Sequence, residues 1–179
     1  MMPIGELMIE HRLIERVINQ MRKELEIINS AHSVQLIKIH QIIDFINNYA
    51  DKCHHGKEED ILFRELDGKE LSAEHRKIIN ELIQDHIFGR DILGKLINAA
   101  RDYEKGYPGA FEMIVDCLKK LTDFYPKHIL KEDKSFFLPC MEYFTGFEKE
   151  EMLGKFNEFD KAMFHSMYKK IVEKIEELV

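Results

Sequence analysis

Five stretches of this sequence place apolar residues three or four positions apart, which is the period of one face of an α-helix. They cover approximately residues 6–28, 36–61, 79–100, 111–132 and 148–178. No strand-like alternation persists anywhere in the sequence, and the breaks that separate the first four stretches are short. Because short connections force neighbouring helices to run antiparallel, the first four stretches predict an up-down-up-down four-helix bundle.

The predicted fold class is therefore all-α, with the bundle at about residues 6–140 and an additional C-terminal helix at about residues 148–178. That last helix is expected to pack against the side or the end of the bundle. Ser72 is a predicted N-cap of the third helix, because serine side chains accept hydrogen bonds from free backbone N–H groups. A length of 179 residues suits a single domain over residues 1–179.

Charge and composition exclude several classes of partner. The formal net charge is −7, and the lysines are interspersed with glutamates, so no nucleic-acid partner is expected. No apolar run approaches the roughly 20 residues of a membrane span, so no membrane partner is expected either. The first six residues lack the basic and apolar regions of a signal peptide. Together with three widely spaced cysteines, which are expected to be reduced thiols, these features predict a cytoplasmic protein.

A histidine interrupts the apolar stripe of each of the four bundle helices: His11, His54, His86 and His128. Burial of an imidazole without a hydrogen-bond partner costs about 1–3 kcal/mol. Four such histidines in the apolar stripes therefore indicate a specific role. Counted from the predicted turns at 1.5 Å per residue, neighbouring histidines differ in height by roughly 8, 3 and 0 Å. The four imidazoles are therefore predicted to converge on one layer of the bundle.

Two glutamates join this predicted layer. His54 and Glu58, and again His128 and Glu132, are four residues apart and so share a helix face. Four imidazoles and two carboxylates are too many ligands for one tetrahedral zinc ion, but they suit two metal ions that share the carboxylates. Imidazole and carboxylate ligands with open positions favour iron or manganese, and zinc also accepts this ligand set.

Other polar residues near the predicted layer have alternative interpretations. His55 and Glu59 form a second pair four residues apart, but the apolar stripe of this helix favours His54 and Glu58 facing inward. Glu15 lies one turn after His11, and Arg90 lies one turn after His86. The two are expected to form an ion pair outside the metal ligands, because a buried guanidinium needs an acceptor. The alternative is that Glu15 binds a metal. Tyr125 faces the same layer, where it either donates a hydrogen bond to a metal-bound ligand or packs.

The sequence resembles the hemerythrin-like, or HHE cation-binding, family over about residues 6 to 140. Four segments carry the resemblance: Glu10-His11, His54-x-x-Lys57-Glu58-Glu59-x-Ile61-Leu62-Phe63, His86-x-x-Gly89-Arg90 and His128-x-x-Lys131-Glu132-Asp133-x-x-Phe136. The resemblance implies two non-haem iron ions with an oxo or hydroxo bridge. It also implies a small partner: O₂, NO or peroxide.

Two departures separate the chain from the oxygen-carrying members of that family. Those members have a second histidine one turn after the histidine of the third helix, where this chain has Arg90. Their fourth helix uses H-x-x-x-x-D, which would select His128 and Asp133, whereas His128 and Glu132 fit the helical spacing better. The sequence thus predicts an open site with four imidazoles that binds or reacts with an oxidant. The alternative is a non-enzymatic module that senses iron or oxygen, or handles iron, through a partner.

Overall fold

The computed structural model describes the backbone of residues 2–176 and the side chains of residues 2–164. This part of the chain is helical except for short connections and contains no strand, which confirms the all-α prediction. Its long helices are α1 (Pro3–Ala31), α2 (residues 36–67), α3 (Ala73–Glu104), α4 (residues 110–140) and α5 (Gly146–Glu176).

Specific residues end the helices and keep the connections short. His32 follows α1 in the left-handed conformation, with φ of 49°. The Ser72 hydroxyl accepts a hydrogen bond from the backbone N–H of His75 at 3.1 Å, as predicted for the N-cap of α3. Between α3 and α4, Gly106 and Gly109 have φ values of 74° and 81°, which residues with a side chain rarely adopt.

Two of the bundle helices contain π-helical segments, in which the backbone hydrogen bonds run from residue i to i+5. In α2 these segments are Ile46–His55 and Glu58–Phe63, and in α4 the segment is Glu132–Phe136. A π-helical turn holds more residues than an α-helical turn, so neighbouring side chains are separated by a smaller angle around the axis. As a result, more consecutive residues of α2 face the bundle interior than α-helical spacing allows.

Two apolar clusters fill the bundle, one on each side of a polar layer. The first apolar cluster includes Ile18, Met21, Leu96, Ile114 and Leu121. The second apolar cluster includes Leu7, Leu62, Leu82, Phe136 and Phe156. Along α1 and α3 the second cluster comes before the first, and along α2 and α4 the order is reversed. This alternation shows that the four helices run up, down, up and down.

Helix α5 packs along the side of the bundle, against α1 and the π-helical part of α2. Phe156 is completely buried in the second apolar cluster, and the ring of Phe159 lies directly over Gly56. A Cβ atom on Gly56 would come within 2.7 Å of Phe159 Cζ, so the absence of a side chain permits this close approach. No helix within residues 2–176 is both long and apolar enough to cross a membrane.

Candidate metal centre

The polar layer between the two apolar clusters contains seven buried side chains, none of them more than 2% exposed. They are His11 from α1, His54, His55 and Glu58 from α2, His86 from α3, and His128 and Glu132 from α4. The structure thus brings all six predicted ligands together. It adds a seventh side chain, His55, which the apolar stripe of α2 had placed outside the bundle.

The ligand atoms of this layer form two groups, each with its atoms within 4.8 Å of one another. One group consists of His55, Glu58, His86 and His128. The other group consists of His11, His54, Glu58 and Glu132. Glu58 belongs to both, so a cation in each group would share this carboxylate.

Both glutamates direct one oxygen towards each group. Glu58 Oε1 lies 3.6 Å from His54 Nε2, and Glu58 Oε2 lies 3.4 Å from His86 Nε2. Glu132 Oε2 lies 3.1 Å from His11 Nε2, and Glu132 Oε1 lies 3.4 Å from His128 Nε2. Two ligand atoms that each lie about 2.1 Å from one ion at right angles are about 3 Å apart, so these distances suit shared cations.

Eight atoms of the layer have no hydrogen-bond partner among the described residues. They are the Nε2 atoms of His11, His54, His86 and His128 and all four carboxylate oxygens of Glu58 and Glu132. Each unsatisfied buried polar group costs about 1–3 kcal/mol, and more if it is charged. Imidazole nitrogens and carboxylate oxygens are ligands of iron, manganese and zinc, so a pair of such ions would satisfy all eight atoms.

An outer ring of carboxylates orients the five imidazoles. Each Nδ1 atom faces one carboxylate oxygen, in the pairs His11–Asp133 at 2.7 Å, His54–Glu10 at 2.9 Å, His55–Asp51 at 3.4 Å, His86–Glu59 at 2.6 Å and His128–Asp85 at 3.3 Å. A proton on Nδ1 that is donated to the carboxylate leaves Nε2 free to bind a metal. Metal-binding histidines commonly have such an outer partner, so this ring is a second observation that favours a metal centre.

Every carboxylate of the outer ring also contacts a basic side chain. The pairs are Asp133–Arg12, Glu10–Lys57, Asp51–Arg90, Glu59–Arg90 and Asp85–Lys131. Lys57 is the deepest of these cations, with a fully buried side chain that also bonds Asp160 of α5 at 3.0 Å. The ring therefore balances its negative charge locally and connects one imidazole of the polar layer, His54, with α5.

A comparison with protein-family models matches residues 2–138 to the hemerythrin HHE cation binding domain. This chain belongs to the hemerythrin HHE family. Membership implies that the domain binds metal cations, and the match covers α1 to α4 without α5. Searches of the curated proteins and of the solved structures return no match.

Burial and charge set the protonation of this hemerythrin-family centre in the metal-free protein. Burial opposes the imidazolium form, but the Asp133 and Glu132 carboxylates raise the pKa of His11 to about 10. In the same way, Glu132, Glu58 and Glu59 raise the pKa of His86 to about 11 against the effect of burial. Metal binding at neutral pH must therefore displace protons from these two residues.

His55 behaves differently from these two residues. Burial lowers its pKa well below the usual value, and the neighbouring imidazoles of His86, His128 and His54 lower it further. His55 is therefore neutral in the metal-free protein and needs no deprotonation before it binds a metal ion.

The prediction that His55 faces away from the layer was wrong, whereas Glu59 lies outside both ligand groups, in the outer ring. His55 is 2% exposed and its ring stacks on that of His86 with the centroids 3.9 Å apart. Glu59 lies directly behind the same His86 ring as its Nδ1 partner. The π-helical turn of α2 narrows the angle between consecutive residues, so His54 and His55 both reach the layer. In the sequence, the adjacent pairs His54-His55 and Glu58-Glu59 were the signal that α2 contributes more than one histidine and one glutamate to the centre.

The predicted ion pair between Glu15 and Arg90 was also wrong. Glu15 is 37% exposed and pairs with Arg12 at 3.0 Å, and it belongs to neither ligand group. Arg90 is 40% exposed and faces α2, where it bonds Asp51 and Glu59. The prediction assumed that Arg90 was buried and short of acceptors, whereas two carboxylates of α2 surround it.

Tyr125 and His165 are the remaining residues for which the sequence left a role open. Tyr125 is buried in the first apolar cluster, and its ring stacks near His55 with a centroid distance of 6.5 Å. His165 of α5 lies outside the residues whose side chains the structure describes.

Proposed function

We propose that this protein holds two iron ions in its polar layer and binds or reacts with a small oxidant: O₂, NO or peroxide. The observation that carries the proposal is the pair of buried glutamates, each of which directs one unpartnered oxygen to each histidine group. Iron is preferred to manganese and zinc because a bridged pair of ions with imidazole and carboxylate ligands suits non-haem iron chemistry. The bound iron would supply reversible one-electron chemistry and a position for an exogenous ligand.

The two metal positions would differ in their protein ligands. His55, His86 and His128 would serve one ion, and His11 and His54 would serve the other, with Glu58 and Glu132 shared. The ion with two histidines has one protein ligand fewer, so the small ligand would enter on that side. Phe137 stacks on His11 there, with centroids 5.4 Å apart, and provides an apolar wall that excludes bulky substrates.

The fifth imidazole changes the functional prediction made from sequence. Arg90 stands where the oxygen-carrying members have a histidine, and this suggested an open site with four imidazoles. His55 supplies the additional imidazole from a different helix, so the ligand count no longer disfavours reversible binding. Both reversible binding and reaction with an oxidant therefore belong to the proposal.

Reconstitution with ferrous iron tests the proposal. The wild-type protein is expected to bind two iron ions per chain without oxygen and to develop near-ultraviolet charge-transfer bands on exposure to air. Metal analysis gives the stoichiometry, and anaerobic addition of NO or peroxide identifies the oxidant that changes the spectrum. A single tightly held zinc ion together with no spectral response to any oxidant would contradict the proposal.

A sensing role is the second candidate, and the connection to α5 favours it. His54 bonds Glu10, Glu10 bonds the buried Lys57, and Lys57 bonds Asp160 of α5. This series of polar contacts could transmit a change at His54 to α5, a helix that lies outside the family match. Hydrogen exchange of α5 that differs between the oxidised and reduced iron forms would support sensing, and identical exchange would exclude this route.

The same proposal includes the location and the partner class. All three cysteines are free thiols, which suits the reducing cytoplasm. A small molecule is the proposed partner, and neither a nucleic acid nor a membrane is proposed, in keeping with the net charge of −7.

A further inference from the structure

Arg90 of α3 bonds two carboxylates of the neighbouring helix α2. Its Nε donates to Asp51 Oδ1 at 2.7 Å, and its Nη2 donates to Glu59 Oε1 at 2.8 Å. Of the described basic side chains that contact the outer ring, Arg90 is the one that contacts two of its carboxylates. It therefore holds a position in the ring that no other cation duplicates.

The oxygens that accept from Arg90 are the same oxygens that face two imidazoles. Asp51 Oδ1 also lies 3.4 Å from His55 Nδ1, and Glu59 Oε1 also lies 2.6 Å from His86 Nδ1. The single guanidinium of Arg90 thus holds in place both carboxylates that face the imidazoles of His55 and His86. Both imidazoles belong to the group formed by His55, Glu58, His86 and His128.

We infer that Arg90 is a positioning residue for one of the two metal ions, the ion served by three histidines. This inference rests on the proposed metal centre. Arg90 touches no ligand atom of the layer, and it acts by holding Asp51 and Glu59 so that His55 and His86 keep their Nε2 atoms directed inward. The other three imidazoles have separate carboxylate and cation partners and do not depend on Arg90.

The geometry of the guanidinium explains why arginine is required here. Its N–H donors form a rigid planar fork, so Nε and Nη2 can engage two acceptors at a fixed separation. Asp51 and Glu59 are only 17% and 29% exposed, and without a cation between them the two charges would repel each other. A lysine at this position would present a single ammonium group, which cannot reproduce both contacts in the same geometry.

The contribution of Arg90 is mainly geometric. The side chain is 40% exposed, so solvent screens its charge and an ordinary surface ion pair at this place would add little stability. Loss of Arg90 should therefore leave the fold intact and loosen two particular rings.

Zinc-loaded protein labelled with ¹⁵N tests the inference, because zinc is diamagnetic and each imidazole Nδ1–H is observable by NMR. In Arg90→Ala, the Nδ1 protons of His55 and His86 are expected to exchange with water about 10–100-fold faster, because the carboxylates that accept them lose the charged hydrogen bond that holds them in place. The protons of His11, His54 and His128 should keep their wild-type rates. Arg90→Lys is expected to restore protection for at most one of the two rings.

Arg101→Ala is the matched control, since Arg101 lies on the same helix and its side chain bonds, among the described residues, only Asn98. All five protons should exchange at wild-type rates in this variant. A second readout is removal of zinc by a chelator, in which one of the two ions should leave about tenfold faster from Arg90→Ala than from the wild type.

The outcomes separate this inference from the proposed metal centre. If wild-type protein binds two ions in the layer neither with zinc nor after ferrous reconstitution, the proposed metal centre fails. If two ions bind but Arg90→Ala keeps wild-type exchange, or accelerates all five protons equally, the role of Arg90 is refuted. Should Arg90→Ala not fold, Asp51→Ala and Glu59→Ala test the same route. Asp51→Ala should affect only His55 and Glu59→Ala only His86, and any other pattern counts against the inference.

Discussion

Glu58 and Glu132 are the residues on which the proposed centre depends most. Both side chains are completely buried, and all four of their oxygens lack hydrogen-bond partners among the described residues. Burial raises the pKa of Glu132, but His128, His11 and His86 outweigh this effect and hold the pKa well below its usual value. The carboxylate is therefore charged and ready to bind a cation.

Removal of either glutamate should abolish binding of the second ion. Each carboxylate offers one oxygen to each histidine group, so Glu58→Ala or Glu132→Ala leaves two incomplete ligand sets. Metal analysis after ferrous reconstitution should fall from two ions to one or none. Glu15→Ala is the control, because Glu15 lies outside both groups, and its metal content should stay at two. Unchanged metal content in both ligand variants would show that the glutamates do not bridge.

His55 should prove as important as the histidines that the sequence identified. Because His55 is one of three imidazoles in its group, His55→Ala should weaken one of the two metal positions by more than the 10–100-fold typical of an outer partner. Competition with a chelator measures the affinity. The control His75→Ala removes an imidazole that bonds Tyr143 outside the layer, and its affinity should match that of the wild type. Equal affinities for the two variants would exclude His55 as a ligand.

The stability of the metal-free protein should fall as the pH rises above neutrality. The folded pKa values of His11 and His86, about 10 and 11, lie above the ordinary value of 6.5, so the folded state binds more protons than the unfolded state between these limits. The contribution of both residues to the free energy of unfolding is complete below about pH 6.5 and is lost as the pH rises to their folded pKa values of about 10 and 11. Thermal unfolding of the metal-free protein across this range measures the decline.

Metal binding should show the opposite dependence on pH. Two displaced protons can tighten the apparent affinity by up to about 100-fold per pH unit around neutrality. The increase in Tm caused by the metal should accordingly be larger at pH 8 than at pH 6. A metal-induced Tm shift that does not change with pH would argue against protonated His11 and His86.

At the scale of the helices, the π-helical segments of α2 determine which side chains reach the layer. The segment Ile46–His55 carries both His54 and His55, and the segment Glu58–Phe63 begins with the shared Glu58. The apolar period of the sequence correctly predicted a long helix here. It did not predict the wider turn, because i to i+5 hydrogen bonding is a property of the backbone and has no residue signature of its own.

The contact between α2 and α5 gives a prediction at the same scale. In Gly56→Ala, the new Cβ would lie 2.7 Å from Phe159 Cζ, so the ring must move, and stability should fall by about 1–3 kcal/mol. Gly94→Ala is the control, since no described atom lies within 4 Å of its added Cβ in the interior of α3, and the variant should gain about 0.5–1 kcal/mol of stability. Urea unfolding measures both changes. Equal stability of the two variants would contradict the close packing of α5 on α2.

At the scale of the whole molecule, Lys57 connects the bundle with α5. Its ammonium is fully buried between Glu10 and Asp160, and Asp160 also accepts a hydrogen bond from the Cys53 thiol at 3.3 Å. A buried charge that loses its partner is strongly destabilising. The position of α5 therefore depends on an ion-pair network that reaches a metal-layer histidine.

Lys57→Met should destabilise the protein by about 3 kcal/mol, because it leaves two carboxylates in a partly buried site without their cation. Lys52→Met is the matched control, since Lys52 lies on the same helix, is exposed and bonds only Asn48 within the described part of the chain. It should change stability by less than about 0.5 kcal/mol. Urea unfolding gives the stabilities, and hydrogen exchange should show the loss of protection in α5. Wild-type protection of α5 in Lys57→Met would refute this connection.

The sequence by itself determined the helices, their antiparallel order and the height of the polar layer. Apolar period and loop length depend on local spacing, and the distances of His11, His54, His86 and His128 from the turns follow from the constant rise of a helix. These quantities need no knowledge of which helix lies next to which. For the same reason the sequence predicted the side-chain types of the layer, imidazole and carboxylate.

Only the tertiary structure decided that His55 of α2 joins the polar layer and which carboxylates and cations form the outer ring. The inward direction of His55 depends on the π-helical turn of α2, and the partners of Arg90 depend on α2 lying beside α3. Asp51, Glu59 and Arg90 are separated by up to 39 positions in the chain, so no local spacing links them. Contacts between helices are set by packing of the whole bundle, and this is why the outer ring could not be predicted from the sequence.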